Sequence, residues 1–465
     1  MKIVFIYTNI NGLHAESYAF GLASIVSVAR KNGHDAKVIL VKEKASYGKV
    51  FEEIVDFKPQ VVGFTCVSSQ FVFVKEIAAC IKERLPGAII VCGGVHPTIN
   101  PGCVLEARHL DAIFVGEAEH SFAEFLIKVE RGQDYRSVEN LAYALGSDVI
   151  MNKLKPLIAD LDSLPYPDKE IYPFKDTLDQ TGYAPFFFSR GCPFLCSYCS
   201  NHMIAKRYGL KHNNPRYRSP ESSIVEIEEA VKKFDIKTIW ILDDIFGIDK
   251  KWRSEFCAKY KNRVGIKFIC ILRVNVIDDE FMKLLKDAGC FRVFIGIESG
   301  NDHVRRNIMN RHMTNDQIIK AFEAAHDNHL ATIAINMIGL PGETEEMLWD
   351  TIRLNRQIKP QMSCVNIFYP YRGTRLGDEC FQKGLVNESL YADFSNERRE
   401  TVLNYPDDYK KKLMYYQENW EALVYPGDLK KRITRVLRKT YLWGYLRKLK
   451  NTFSLRFKKM DSRVS

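Results

Sequence analysis

Two successive series of short apolar runs, each run followed by helical periodicity, constrain this chain more than any other feature. In the first series, runs at 2–8, 36–41, 60–65, 88–92 and 112–115 alternate with helical patterns at 18–32, 47–56, 73–84 and 118–132. Runs such as Gln60-Val-Val-Gly-Phe-Thr65 are apolar on both faces, as strands of a covered parallel sheet must be. The expectation is a doubly wound, Rossmann-like parallel sheet over residues 1–145. Such sheets bind ligands beyond the carboxyl ends of their strands. The residues placed there are Asn9, Thr65, Ser68, Ser69, Gly93, Gly94, His96, Thr98, Gly116 and Glu117. No G-x-G-x-x-G follows the first strand, which argues against a dinucleotide.

A proline-punctuated connector, Asp160-Leu-Asp-Ser-Leu-Pro-Tyr-Pro-Asp168, lies in a linker set at 146–182. The second series then supplies strands at 184–188, 238–242, 267–272, 292–297, 332–338 and 362–368. Helices intervene at 220–234, 251–262, 278–288, 314–328 and 343–358, with Ser219 and Asp249 as caps of the first two. Six strand–helix units imply a partial (β/α)6, TIM-like barrel over 183–385, with its chemistry at the C-terminal strand ends. Those ends carry Asp243 and Asp244, Arg273, Glu298 and Ser299, and Ile338 and Gly339. Any one of these is an ordinary cap or turn residue. Together they describe a pocket for a polar, zwitterionic, ribose-bearing molecule.

The first strand of this series runs into Ser189-Arg-Gly-Cys-Pro-Phe-Leu-Cys-Ser-Tyr-Cys199. Cys192, Cys196 and Cys199 stand at C-x₃-C-x₂-C spacing, which converges three thiolates on one soft metal centre. Three ligands leave one iron of a 4Fe–4S cluster open to a substrate or cofactor. Two other readings stay open: a Cys₃His zinc site completed by His202, and a redox C-x₂-C pair. The remaining nine of the twelve cysteines are scattered, which points to a reducing compartment rather than a disulfide framework. With a short N-terminal apolar run and no membrane-span pattern, the expected location is the cytoplasm.

The cysteine loop, with Tyr198 before its last cysteine, resembles the signature of the radical S-adenosylmethionine (radical SAM) superfamily. Gly296-Ile-Glu-Ser-Gly300 and Gly339-Leu-Pro-Gly-Glu-Thr344 resemble strand-end motifs of its branch in which a cobalamin-binding domain precedes the barrel. The connector Leu164 to Asp168 and the loops Gly93-Gly-Val-His-Pro-Thr98 and Gly116-Glu-Ala-Glu119 are similar to that branch as well. The resemblance implies that Cys192, Cys196 and Cys199 hold a 4Fe–4S cluster, whose open iron takes the amino and carboxylate groups of S-adenosylmethionine. It places Tyr198 near the adenine, Asp243 and Asp244 at the methionine amino group, and Glu298 on the ribose. Ser299 or Arg273 would reach the carboxylate, and Ile338 and Gly339 would line the adenine.

The implied activity is reductive cleavage of S-adenosylmethionine to a 5′-deoxyadenosyl radical, used to methylate an unactivated carbon with cobalamin as methyl carrier. Cyclisation or rearrangement with the same cofactors is the alternative. A cobalamin or iron–sulfur sensor is the non-enzymatic one. The D-x-H-x-x-G loop that ligates cobalt in many cobalamin proteins is absent, and His14 and His96 stand as candidates near the lower face. A flavodoxin or ferredoxin would supply electrons, and the substrate would be a small or lipid-like molecule.

The net charge of +10 belongs to the tail. Residues 429–465 carry thirteen Lys and Arg against Asp461 alone, so the body is near neutral and its charge argues against nucleic acid as a partner. Within the helical region 386–465, a helix is expected at 409–424. Residues 429–449 interleave basic and aromatic groups, a pattern that fits a helix covering the barrel, lying on an anionic membrane, or gripping nucleic acid.

Overall fold

The computed structural model describes residues 1–10, 18–392 and 397–427. His14 and the basic segment 429–465 therefore lie outside the described residues. The first sheet contains β1 (Lys2–Thr8), β2 (Asp35–Val41), β3 (Val61–Thr65), β4 (Ile89–Gly93), β5 (Ala112–Phe114), β6 (Leu141–Leu145) and β7 (Asp148–Met151). Its order is β2-β1-β3-β4-β5-β6-β7. The pairings from β2 to β5 are parallel, as the doubly apolar runs require, whereas β6 and β7 add an antiparallel hairpin. That hairpin carries the sheet to Met151, past the residue 145 at which the sequence reading ends this domain.

Strand β1 lies between β2 and β3, so the connections leaving β1 and β3 diverge. This switch point opens a crevice at the carboxyl edge. Helices Phe20–Lys31 and Glu119–Glu130 cover one face of the sheet and Tyr47–Phe57 and Phe71–Arg84 the other. Side chains of β1 divide accordingly: Ile3 and Phe5 join one core and Val4 and Ile6 the other.

The second sheet is formed by β8 (Ala184–Phe186), β11 (Thr238–Ile241), β12 (Lys267–Arg273), β13 (Cys290–Glu298), β14 (Ala331–Ile338) and β15 (Met362–Ile367). All its pairings are parallel and the strands stand in chain order, so the sheet is the expected six-stranded partial barrel. The short strands β9 (Ser189–Arg190) and β10 (Arg216–Tyr217) form a separate antiparallel ribbon between β8 and β11.

Two outer helices start at the expected caps, Ser219 and Asp249, and a third starts at Thr344, which the sequence reading placed inside its helix. Ser219 accepts from Ser222 N, Asp249 from Trp252 N and Thr344 from Met347 N. Caps of this kind contribute about 0.5–2 kcal/mol each. Helix Asp407–Val424 packs its Leu413, Tyr416, Trp420 and Val424 against β14, β15 and the helix Glu345–Ile358. Its Trp420 Nε1 donates to Ser363 Oγ at 2.7 Å. Among the described residues no helix is long and apolar enough to cross a membrane.

Candidate active site between the two sheets

The cysteine loop begins as Phe188 leaves the barrel, and Asp243 fixes that departure. The Asp243 carboxyl, fully buried, accepts from Phe188 N and Ser189 Oγ, each at 2.7 Å. Burial pushes its pKa up to about 7. Both oxygens are engaged below the loop, so Asp243 holds the loop in place instead of facing a cofactor amino group as the sequence implied. Its neighbour Asp244 does face the cavity, accepts from the Asn201 side chain, and is within electrostatic reach of Cys192 and Cys199.

The loop is then closed at its base. Arg190 pairs with Arg216 across the β9–β10 ribbon, and Gly191 has φ +101°. A Cβ on Gly191 would stand 2.7 Å from Asn213 Oδ1 and 2.9 Å from two backbone oxygens, so only glycine fits.

At the loop tip, Ser197 N donates to Met309 O at 2.9 Å and Asn310 Nδ2 to Leu195 O at 2.7 Å. These bonds press Cys196 against two buried guanidinium groups. Arg273 Nη1 donates to Cys196 Sγ at 3.2 Å, and Arg311 Nη1 lies 3.8 Å from the same sulfur. Arg273 also stacks on Phe194, 3.9 Å from the ring centre, and donates Nε to Asn275. Arg311 donates to Gly296 O and stands 4.0 Å from Glu298 Oε1. Sequence reading missed Arg311, because it sits in a loop thirteen residues beyond the strand whose end it serves.

Glu298 adopts φ +66°, a strained conformation for a side-chain-bearing residue, at the register shift between β13 and β14. Burial pushes its carboxyl up, while Arg311, Arg273 and a hydrogen bond from Tyr198 pull it down.

Two expected cofactor contacts are turned away from this cluster of charges. Ser299 is fully buried, with Oγ 3.4 Å from Thr351 Oγ1 and accepting from Asn301 N; it shapes the turn and does not reach a carboxylate. The Ile338 side chain packs outward with Leu348, Ile352 and Leu413, so only the backbone of its loop can line a ligand. Gly339 (φ +76°) donates to Glu343 Oε2 at 2.6 Å and Leu340 donates to the same oxygen at 3.3 Å. Burial pushes Glu343 up to about 8, so at neutral pH it is held as the acid.

Facing this mouth is the carboxyl edge of the first sheet, and between them lies a cavity of about 380 Å³. Thr65, Gly93, Gly94, Thr98, Gly116 and Glu117 line it from one side. Arg190, Gly191, Asn201, Asn213 and Asp244 line it from the other. Gly93 presents bare backbone: a Cβ there would meet only Phe114, at 3.8 Å. Gly94 has φ +104° and a Cβ would stand 2.7 Å from Cys66 O. Thr98 Oγ1 joins the two glycine turns, donating to Gly94 O (2.7 Å) and accepting from Gly116 N (3.0 Å).

Glu117 is committed to the protein rather than to a ligand. It takes a bidentate pair from Arg216 (2.7 and 2.9 Å) and a bond from Ile158 N. Arg190 spans from the cysteine loop to Glu119, whose Oε1 also accepts from Ser24. Glu117 and Glu119 with Arg190 and Arg216 thus clamp the two sheets together. Sequence reading quoted Gly116-Glu-Ala-Glu119 but could not see its partners.

The remaining candidates lie deeper. Ser68 bonds His96 Nδ1 at 3.0 Å, His96 packs against Phe71 with the rings tilted by 40°, and neither Ser68, Ser69 nor His96 reaches the cavity. Burial pushes His96 down to about 4, so its ring is neutral. Asn9 is buried at the end of β1, its N–H on Val41 O.

Two α/β layers meet across one cavity, with the base of the cysteine loop, Ser189 to Gly191, on one wall and glycine turns on the other, the arrangement of an enzyme that holds more than one cofactor. The comparisons agree with that geometry. Residues 186–354 match the Radical SAM superfamily model and residues 10–126 the B12 binding domain model. The chain belongs to the cobalamin-binding branch of the radical SAM superfamily. It is 28% identical to an uncharacterized methyltransferase, PH0819, of Pyrococcus horikoshii, over 92% of this chain and 87% of that one. It is also 28% identical to the anaerobic magnesium-protoporphyrin IX monomethyl ester cyclase of Rubrivivax gelatinosus, over 98% of this chain and 84% of that one. Its fold resembles the radical SAM methyltransferase TsrM of Kitasatospora setae, solved with cobalamin and a [4Fe-4S] cluster. The TM-score is 0.69 at 15% identity, over 82% and 75% of the two chains.

The cofactors of this branch are a 4Fe–4S cluster, S-adenosylmethionine and cobalamin, and the residues present fit them. Among the described residues no three His, Cys, Asp or Glu side chains close around a single ion. The sulfurs of a cubane bind separate irons and stand farther apart than the ligands of one ion. His202 Nε2, the proposed fourth zinc ligand, instead accepts from Arg375 N at 3.3 Å. On the cobalamin side the bare Gly93 backbone leaves a cradle, and on the opposite wall the buried, unpartnered Asn213 Oδ1 offers an open acceptor.

Proposed function

We propose that this enzyme methylates an unactivated carbon of a small organic substrate. When bound, the three cofactors supply reductive sulfonium cleavage, hydrogen abstraction and methyl delivery. Cys192, Cys196 and Cys199 would hold the cluster, and Arg273 and Arg311 would offset its negative charge. Tyr198, Glu298 and Asp244 would orient S-adenosylmethionine beside it. Thr65, Gly93, Gly94 and Gly116 would let the corrin approach the backbone closely. The apolar wall of Phe20, Phe114, Phe122 and Phe187 would exclude water from the radical chemistry.

The observation that carries this reading is the single cavity shared by the glycine turns of the first sheet and the cysteine loop of the second. There the methyl carrier would lie beside the base of the loop that would hold the radical source.

Anaerobic reconstitution should give about four iron and four sulfide per chain, with uptake of cobalamin. Reductant with S-adenosylmethionine should then release 5′-deoxyadenosine and pass a labelled methyl group to substrate. A protein that takes up zinc and shows no iron-dependent spectrum would sink the proposal. Ring closure without label transfer would favour the second reading, a cyclase, which the similarity to the Rubrivivax gelatinosus enzyme supports. A flavodoxin or ferredoxin is the proposed electron donor. For residues 429–465, contact with an anionic membrane is proposed from their basic and aromatic pattern, and flotation with phosphatidylglycerol vesicles tests it.

A further inference from the structure

Beyond β15 the chain returns across the mouth of the barrel and delivers one arginine there. Ile367 N, at the last residue of β15, donates to Arg398 O at 3.1 Å, and Gln417 Nε2 donates to the same oxygen at 2.8 Å. These two bonds hold Arg398 at φ +59°, a left-handed conformation that costs a residue with a Cβ about 1–3 kcal/mol. Its side chain is tethered at one atom: Nε donates to Tyr371 OH at 2.9 Å, and the guanidinium lies 5.7 Å from the Tyr371 ring centre. The Tyr371 hydroxyl in turn donates to Glu397.

The outer edge of the guanidinium is unspent. Among the described residues Nη1 and Nη2 have no hydrogen-bond partner, and no carboxylate lies within 4.0 Å of Arg398. The charged groups that face it are Glu397 on its own segment and Glu298 at the end of β13. A surface arginine in this state would be unremarked. A half-buried one, fixed by strained backbone and anchored only through Nε, is a planar fork pre-set for a bidentate anion.

We propose that Arg398 anchors an anionic group of the substrate, a carboxylate or a phosphate, at the barrel mouth. This rests on reading the chamber as a radical SAM active site and adds to it the chemical class of the substrate. The carboxylate of S-adenosylmethionine is the other source of the same chemistry. Position favours the substrate: the cluster side of the mouth already has Arg273 and Arg311 beside Cys196, whereas Arg398 enters over β15, from the segment that follows the barrel. Tyr371, through Nε, sets the plane of the fork and leaves Nη1 and Nη2 unbonded among the described residues.

Acid and ester pairs test this on the cluster-loaded full chain. With S-adenosylhomocysteine bound, calorimetry would compare indole-3-propionate with its methyl ester and protoporphyrin IX with its dimethyl ester. The expected result is that at least one acid binds the native protein about tenfold more tightly than its ester. R398Q should erase that preference, R398K should keep part of it, and S-adenosylhomocysteine should bind all three proteins alike. Absence of an acid preference in the native protein, or the same preference in R398Q, overturns the proposal. So does R398Q weakening S-adenosylhomocysteine about tenfold while the acid preference stays, because Arg398 would then belong to the cofactor. Release of 5′-deoxyadenosine by the native protein is scored separately. Its loss would break the functional reading, whereas loss of acid preference alone breaks only the role of Arg398.

Discussion

The two walls of the chamber are built on opposite principles. The edge of the first sheet is bare backbone and small side chains: Gly93, Gly94 and Gly116, with Thr98 stitching two of the turns together. The barrel mouth on the other side holds buried charge at Arg273, Arg311 and Glu298, with Glu343 kept as the acid. One wall recognises its ligand by how closely backbone can approach, the other by where fixed charges stand. The turns at Gly94 and Gly116 tolerate no added atom but cost little electrostatically. Buried charges tolerate changes of shape but fail when a partner is lost.

The largest expected effect tests the charged wall. R311M leaves Glu298 with one close cationic partner fewer and frees Cys196 from one of its two guanidiniums. About 3 kcal/mol of stability should be lost by denaturant titration, with iron content after reconstitution falling in parallel. An unchanged iron content would show that the guanidinium does not serve the cluster.

The clamp that joins the walls comes next. E119A strips Arg190 of its buried partner and should cost about 3 kcal/mol at pH 7. Arg190 holds the folded pKa of Glu119 below its ordinary value, so the stabilisation is present above the unfolded pKa and disappears as pH falls through the folded one. The stability gap between native protein and E119A should therefore close in acid, below about pH 4.3. A gap that stays constant with pH would assign the loss to packing alone.

On the backbone wall, G94A should cost about 1–3 kcal/mol because φ +104° is unsuited to a residue with a Cβ. G93A, whose added methyl meets only Phe114, should fold normally yet weaken cobalamin uptake measured by absorbance. If both variants bind cobalamin as well as the native protein, this edge is not the cradle.

The smallest effect is the most selective. Glu343 has its pKa raised to about 8, so its contribution to stability is fully present below the unfolded value and is lost as pH rises through about 8. E343Q keeps an acceptor for Gly339 N and Leu340 N but cannot ionise. Its melting temperature relative to the native protein should rise between pH 7 and pH 8 by a few degrees at most, on the scale of about 1 kcal/mol. A difference independent of pH would mean that the carboxyl is not held protonated.

Sheet architecture was legible in the pattern of residues because each strand is apolar on both faces and each helix on one. The expected strand at 332–338 forms as Ala331–Ile338 and that at 362–368 as Met362–Ile367. What escaped were elements whose stability is not periodic. The β6–β7 hairpin is short and half-exposed, and the β9–β10 ribbon is two residues on each side. The site divides in the same way. The cysteine spacing marks the loop and Glu298 stands at a strand end as expected, but no pattern carries the bonds that Asp243 and Ser299 make within the protein.

By itself, then, the sequence determined two α/β layers and an open three-cysteine loop, because hydrophobic periodicity and ligand spacing are local. Only tertiary structure decided which charges meet. Arg190 with Glu119, Arg216 with Glu117, Arg311 with Cys196 and Arg398 with Tyr371 are pairings across different elements. A polar residue at a strand end carries no mark of whether its partner is a ligand or another loop. That choice is made by burial, which drives each polar atom to whichever partner the packed chain brings within reach.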